Sequence, residues 1–92
     1  MKQDSVNSAE NTNIERSFGE VLRRLRQSSG LSQEALGFKS GYHRTYISLL
    51  ERGKKSPSLQ TIFQLAEALG TEPSELLKHV QDHISGQDTS SY

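Results

Sequence analysis

One segment of the chain, Gly41-Tyr-His-Arg-Thr-Tyr-Ile-Ser-Leu-Leu-Glu-Arg-Gly53, is rich in side chains that form specific hydrogen bonds. It carries a guanidinium at Arg44, hydroxyls at Thr45 and Ser48, and an aliphatic group at Leu49. A guanidinium can bond guanine O6 and N7 together, a hydroxyl can donate or accept, and an aliphatic group can pack on a thymine methyl. These residue types therefore suit the major groove of DNA, whose width admits an α-helix.

The spacing of the same segment predicts a helix with two different faces. At about 100° per residue, Ile47 and Leu50 fall on one side, which we expect to face a core. The opposite side carries Thr45, Ser48, Leu49 and Arg52, with Arg44 and Tyr46 on the flanks. We interpret the second side as a surface that reads DNA bases, against the alternative of an ordinary solvated helix face. Tyr46 has two alternative roles, filling a boundary or donating to a phosphate.

Residues on either side of this helix are candidates for binding phosphates. Gln33 follows Ser32 at the start of a preceding helix, where free backbone N–H groups favour an anion. Lys54, Lys55 and Ser58 form a basic loop and the N-terminus of the next helix, and the alternative for this loop is simple solvation. The distribution of charge agrees with a polyanionic partner. The net charge is zero, yet residues 23–55 hold eight basic and two acidic residues, an excess of six positive charges.

The elements that must position these residues are all helical. Helix-period apolar spacing, N-cap residues and terminating glycines predict helices over about 17–29, 33–40, 43–52, 59–69 and 73–83. Ser17 and Glu20 have the spacing of a capping box at the first of these. The domain is predicted over 16–84, with a disordered polar arm at 1–15 and a flexible tail at 85–92.

The last predicted helix has more apolar residues than a small core needs. These are Leu76, Leu77, Val80 and Ile84. Because proteins that place a helix in the major groove commonly bind as two-fold dimers, we expect these residues to form part of a dimer interface. The alternative is that all four face the core of one chain.

Several functions are disfavoured by the sequence. It has no cysteine, no apolar run long enough to span a membrane and no signal-peptide pattern, which predicts a cytoplasmic protein that does not bind membranes. No nucleophile is paired with a base in a readable motif, so we expect neither catalysis nor a cofactor. His79 and His83 share a helix face with Asp82 nearby, but we interpret them as a polar helix end and expect no metal.

The sequence also resembles a known family. The matching features are Leu31-Ser-Gln-Glu34, Leu36, Gly41, Tyr46-Ile-Ser48, Glu51-Arg-Gly53, Pro57-Ser-Leu59 and Ala66 to Gly70. Together they resemble the helix-turn-helix domain of the XRE family, the group of the lambda repressor and Cro proteins, over about residues 17–80. Within that family the segment HRTYIS is similar to the controller proteins of restriction-modification systems. The resemblance implies a compact five-helix, lambda-repressor-like fold with the helix-turn-helix at helices 2 and 3.

The resemblance also implies roles for single residues. Gln33 matches a phosphate-contacting glutamine, and Arg44, Thr45, Ser48 and Leu49 occupy base-reading positions. Arg26 and Glu51 match a buried ion pair between helices 1 and 3. Among the positions that depart from the family pattern, two bear on the pose of helix 3: Gly37 stands where alanine is usual, and His43 replaces a better helix cap. His43 is therefore expected either to cap poorly or to contact a phosphate.

These observations predict a dimeric, sequence-specific transcriptional regulator bound to a double-stranded DNA operator. A prophage-type repressor, a restriction-modification controller and an antitoxin that represses its own operon all fit the sequence. The rival interpretation is a protein-interaction module, with an unidentified protein partner, that uses this fold without reading DNA.

Overall fold

Five α-helices make up the fold of the computed structural model, which describes the backbone of residues 2–90 and the side-chain surroundings of residues 14–86. They are α1 (Lys2–Ser28), α2 (Gln33–Ser40), α3 (Arg44–Glu51), α4 (Leu59–Leu69) and α5 (Pro73–Ser90). The all-α, lambda-repressor-like fold expected from the sequence is confirmed.

The core lies where all five helices meet. Its buried apolar side chains come from each helix in turn: Phe18, Val21, Leu22, Leu36, Ile47, Leu50, Leu65, Ala66, Leu76 and Val80. Because α2 and α3 have only eight residues each, neither would be stable alone in water. Burial of Leu36, Ile47 and Leu50 against the other helices therefore fixes both short helices in place.

Two glycines allow these helices to approach one another closely. A side-chain carbon at Gly19 of α1 would collide with the carbonyl oxygens of Leu50 and Glu51, at the end of α3. A side-chain carbon at Gly37 of α2 would collide with the carbonyl oxygen of Tyr42, which leads into α3. The departure from the family pattern at Gly37 thus has a structural reason, since the turn between α2 and α3 passes directly over this position.

The first helix differs from the sequence-based prediction. It begins at Lys2, so Ser17 is an interior residue and the predicted capping box at Ser17 and Glu20 is wrong. Both side chains instead contact α5. Ser17 Oγ lies 3.0 Å from His83 Nδ1, and Glu20 Oε1 lies 3.0 Å from His83 Nε2. The three-residue spacing of Ser17 and Glu20, which is also that of a capping box, here places one polar group at each ring nitrogen of His83.

The last helix also extends further than predicted, to Ser90 rather than residue 83. Residues 1–13 and 87–92, which hold most of the predicted arm and tail, lie outside the residues whose side chains are described. The proposed disorder of those segments stays a prediction.

Candidate nucleic-acid interface

The outward side of α3 presents the residues that the sequence assigned to base reading. Arg44 and Thr45 are exposed, while Ser48 and Leu49 are half-buried. Ile47 and Leu50 on the other side are fully buried. The helix therefore has one side fixed in the core and one side open to solvent, as its spacing predicted.

His43 begins α3 as a true N-cap. Its backbone is extended, with φ −73° and ψ 148°, and its Nδ1 accepts a 3.0 Å hydrogen bond from the N–H of Thr45. A neutral imidazole that accepts at Nδ1 carries its proton on Nε2. The exposed ring thus caps the helix and carries its N–H donor at Nε2, and its contact with a phosphate stays a prediction.

Three polar side chains join the ends of α1, α2 and α3. Arg26 donates from Nε to Glu51 Oε2 at 2.5 Å and from a terminal nitrogen to Glu51 Oε1 at 3.0 Å. Gln33 Nε2 donates to Glu51 Oε1 at 3.0 Å, and Arg26 also donates to the carbonyl of Leu31 at 2.8 Å. The hydrogen bonds to Glu51 raise the pKa of Arg26, which keeps the guanidinium charged. The ion pair implied by the family resemblance is present, and it includes Gln33.

The two tyrosines near α3 point toward α4. Tyr42 and Tyr46 have ring centroids 5.0 Å apart, and their hydroxyls lie 2.9 Å and 3.4 Å from Thr61 Oγ1. Tyr42 also donates to Gln64. Thr61 is buried, so this cluster attaches the start of α3 to the first turn of α4. Neither Thr61 nor this role of Tyr42 is predictable from a local sequence pattern, because the contacts join residues far apart in the chain.

The loop after α3 is held at its start and is exposed beyond it. The N–H of Lys54 donates to the carbonyl of Leu49 at 2.9 Å, and Gly53 has a positive φ of 72°. The side chains of Lys54 and Lys55 are exposed, and among the described residues neither forms an ion pair. Arg52, also exposed, donates from Nε to Ser48 Oγ at 3.2 Å. The guanidinium of Arg52 thus lies beside Ser48, one of the residues predicted to contact bases.

Ser58 serves the helix that follows this loop. Its hydroxyl accepts from the N–H of Thr61 at 3.1 Å and lies 3.0 Å from Thr61 Oγ1. The side chain therefore caps α4.

The predicted dimer residues divide into two groups, and the prediction is wrong for Leu76 and Val80. Leu76 has no exposed surface and Val80 is 6% exposed, because α5 packs with this side on the core of the same chain. Leu77 is 42% exposed and Ile84 is half-buried.

Two exposed apolar residues on α4 were missed as interface candidates: Leu59 is 69% exposed and Phe63 is 54% exposed. Their spacing of four residues, in a helix with more apolar residues than it can bury, was a signal available in the sequence.

Metal-binding and membrane-spanning features were also sought within the described part of the chain. No group of three or more His, Cys, Asp or Glu side chains there could hold a metal ion. The ring nitrogens of His83 are directed at Ser17 and Glu20. No helix in that part is long and apolar enough to cross a bilayer.

The geometry defines a helix-turn-helix: α2 and α3 are joined by a tight turn, and α3 is open on its outer side. A family model described as helix-turn-helix matches residues 22–76. Control protein C.BamHI of Bacillus amyloliquefaciens is 47% identical over 66 residues, covering 71% of this chain and 82% of that protein. Control protein C.SmaI of Serratia marcescens is 42% identical over 64 residues, covering 70% and 76% respectively.

Solved structures agree with this class. The restriction-modification controller protein C.AhdI from Aeromonas hydrophila matches with a TM-score of 0.65 at 51% identity, over 66% of this chain and 92% of that chain. C.Esp1396I, solved as a tetramer in complex with its natural 35 base-pair operator, matches with a TM-score of 0.72. Its identity of 24%, over 77% of this chain and 93% of that chain, shows the fold alone.

The chain belongs to the XRE family of helix-turn-helix proteins and is close to the restriction-modification controller proteins. It is a DNA-binding transcriptional regulator and not an enzyme.

Proposed function

We propose that the chain is a dimeric controller or repressor that reads a pseudo-palindromic operator by placing α3 of each subunit in the major groove. The observation that carries the proposal is the division of α3 into a buried side and an open side. Its short length is compensated by the His43 cap and by the contacts of Glu51 and Tyr46. Because α3 is already fixed in this way, little conformational entropy is lost when it enters the groove.

Four side chains would contact base edges. Arg44 lies at the N-terminal end of α3, the end that reaches bases in helix-turn-helix complexes, and it can bond a guanine bidentately. Thr45 and Ser48 would donate to or accept from a base, and Leu49 would pack on a thymine methyl. Arg44 forms no ion pair with another described residue, so no internal contact has to break before it binds.

The phosphate contacts would come from both ends of this reading edge. At one end Gln33, held by Glu51 through one amide hydrogen, can donate the other to a phosphate, and His43 can donate from Nε2. At the other end Arg52, Lys54 and Lys55 supply positive charge. These groups orient the domain on the duplex but carry little sequence information.

Ser58 and Tyr46 contribute less directly to phosphate binding in this proposal. The Ser58 hydroxyl is used as a cap, so its phosphate role would pass through the backbone N–H groups at the start of α4. The Tyr46 hydroxyl is attached to Thr61 at 3.4 Å and would have to release this long bond to reach a phosphate.

The dimer interface would use the exposed apolar residues of α4 and α5. Leu59 and Phe63 lie one turn apart on α4, and Phe63 shares a shallow groove with Pro73 at the start of α5. Leu77 lies one turn further along α5. Exposed apolar patches of this kind commonly mark protein interfaces. The dimer is supported by this surface, with Leu77 and Ile84 retained from the sequence prediction and Leu59 and Phe63 added.

The biological setting is part of the same proposal. The similarity to C.BamHI, C.SmaI and C.AhdI supports a controller protein of a restriction-modification system over a prophage repressor or an antitoxin. Because the ligand is an operator, the protein would act in the cytoplasm of a bacterium.

Fluorescence anisotropy with duplexes from the DNA flanking the gene tests the proposal. We expect tight binding at low salt. Affinity should fall steeply as salt rises, because the release of counterions from the DNA then contributes less free energy to binding. Absence of binding to every duplex at low salt would leave the protein-interaction module as the better account.

Sedimentation of the free protein over a range of concentrations tests the dimer. We expect a monomer–dimer equilibrium. A monomer at all concentrations, with and without DNA, would contradict the proposed dimer but not the proposed DNA binding.

A further inference from the structure

The segment of α1 that holds Arg16 and Gly19 lies directly on the end of α3 and the loop that follows it. A side-chain carbon placed at Gly53 would lie 3.1 Å from Arg16 Cα and 3.6 Å from Arg16 Cβ. Gly19, one turn along α1, is pressed against the carbonyl oxygens of Leu50 and Glu51. Arg16 therefore stands beside the basic loop of Lys54 and Lys55, although it is far from that loop in the sequence.

Arg16 shares its side of α1 with a second exposed arginine, Arg23. The two are seven residues apart, a spacing at which an α-helix returns to within about 20° of the same direction. Both side chains are exposed. Gly19 and Arg26, which face α3, mark the neighbouring side of the helix. Arg16 and Arg23 thus form a strip along the outer edge of α1, next to α3.

The positive charge of this strip is not neutralised by the described carboxylates. Neither Arg16 nor Arg23 forms an ion pair with a described residue. Glu51 is used by Arg26, and Glu20 is bonded to His83 on the α5 side. Arg16 instead lies against Gly53, which directly precedes Lys54 and Lys55 in the chain. Exposed positive charges on one surface attract a polyanion.

We propose that Arg16 and Arg23 bind DNA backbone phosphates and extend the contact made by Lys54 and Lys55. This inference rests on the proposed function, because it requires α3 to lie in the groove. With α3 so placed, its C-terminal end and the Gly53 loop lie at the backbone, and Arg16 is the next positive charge along that surface. Arg16 precedes residues 22–76, which match the family model, whereas Arg23 lies within them.

The dependence of affinity on salt tests the strip directly. The slope of log K against log salt is negative, and each lost phosphate contact lowers its magnitude by roughly 0.9 for duplex DNA. We expect Arg16→Gln and Arg23→Gln each to lower the slope by about this amount, and to weaken operator and unrelated duplexes alike. Arg16→Lys should keep the wild-type slope, because it keeps the positive charge at this position.

Arg24→Gln is the matched control, since Arg24 is exposed on the same helix but turned about 100° from Arg23. It should leave the slope unchanged. The strip is refuted if Arg16→Gln and Arg23→Gln keep the wild-type slope, or if Arg24→Gln lowers it equally. If the wild type itself shows no salt-dependent binding, the proposed function fails, which is a different result. Circular dichroism melting of each variant verifies that the fold is retained.

Shortening the duplex gives a second, independent measurement. Removing base pairs from the outer ends of the operator should weaken the wild type once the phosphates beyond the Lys54 contact are lost. Arg16→Gln should be insensitive to that same step. Equal losses for wild type and Arg16→Gln at every length would overturn the assignment of Arg16 to an outer phosphate.

Discussion

The end of the molecule that we propose reads DNA, called here the reading end and formed by α2, α3 and the Gly53 loop, differs from the face formed by α4 and α5. At the reading end, side chains are polar and many are already fixed: Glu51 by Arg26 and Gln33, the His43 ring by the Thr45 N–H. On the other face, Leu59, Phe63 and Leu77 are large, apolar and exposed. The two surfaces thus suit ligands of different chemistry, a polyanion and an apolar protein surface.

The difference also concerns what holds each region in place. α3 is held by burial of Ile47 and Leu50 and, in addition, by a buried ion pair, a cap and a close approach at Gly37 that act on its orientation. α5 is held mainly by apolar burial through Leu76 and Val80. Substitutions at the reading end should therefore change both stability and DNA recognition, whereas substitutions on the exposed apolar face should change association alone.

The largest expected effect is from Glu51→Ala. It leaves the Arg26 guanidinium without its buried partner, and breaking such a pair typically costs about 3–5 kcal/mol. Urea unfolding should show this loss, while Glu34→Ala, at an exposed position of α2, should change stability by no more than about 0.5 kcal/mol. Similar stabilities for the two variants would mean that the ion pair does not anchor α3.

Leu76 and Leu77 separate folding from association on α5. Leu76→Ala creates a cavity in the core and should cost roughly 2–5 kcal/mol in urea unfolding. Leu77→Glu should leave a folded chain, but shift it to monomer in sedimentation because a charge would be buried between subunits. An unchanged dimer for Leu77→Glu would move the interface away from this face.

Gly37→Ala tests the close approach of the turn to α2. Helix propensity alone predicts a gain of about 1 kcal/mol from this change. We expect a loss of about 1–3 kcal/mol instead, because the methyl group has no room beside the carbonyl of Tyr42. Gly86→Ala, in open space on α5, is the matched control and should be neutral or stabilising in thermal unfolding. A stabilising Gly37→Ala would contradict the packing described for the turn.

The smallest effect is expected at His43. His43→Ala removes the cap of α3 and should cost about 1 kcal/mol of unfolding free energy. His43→Ser should recover stability, since serine also caps, but should not restore a phosphate contact from Nε2. Equal affinity for a duplex in the serine variant and the wild type would confine His43 to a structural role.

The helices were predictable from local signals: Ser32 and Ser58 are caps, Gly41 and Gly70 terminate helices, and the Ile47 spacing located the core side of α3. The sequence-based predictions were wrong where the surroundings of a side chain depend on packing between residues far apart in the chain. Ser17 and Glu20 have cap spacing but contact His83, and the burial of Leu76 follows from where α5 packs.

The cluster of Tyr42 and Thr61 joins residues nineteen positions apart, which no local pattern reveals. The DNA-contacting roles of the site residues remain predictions that require a bound duplex.

Selection of bound sequences from a random duplex pool, repeated with Arg44→Ala and Lys54→Ala, tests the central claim most directly. We predict that the wild type selects a two-fold symmetric site with half-sites about one DNA turn apart. Arg44→Ala should lose about 1–3 kcal/mol of discrimination at one base pair of each half-site, and Lys54→Ala should weaken all sequences equally. Identical base preferences for the wild type and Arg44→Ala would contradict base reading by α3.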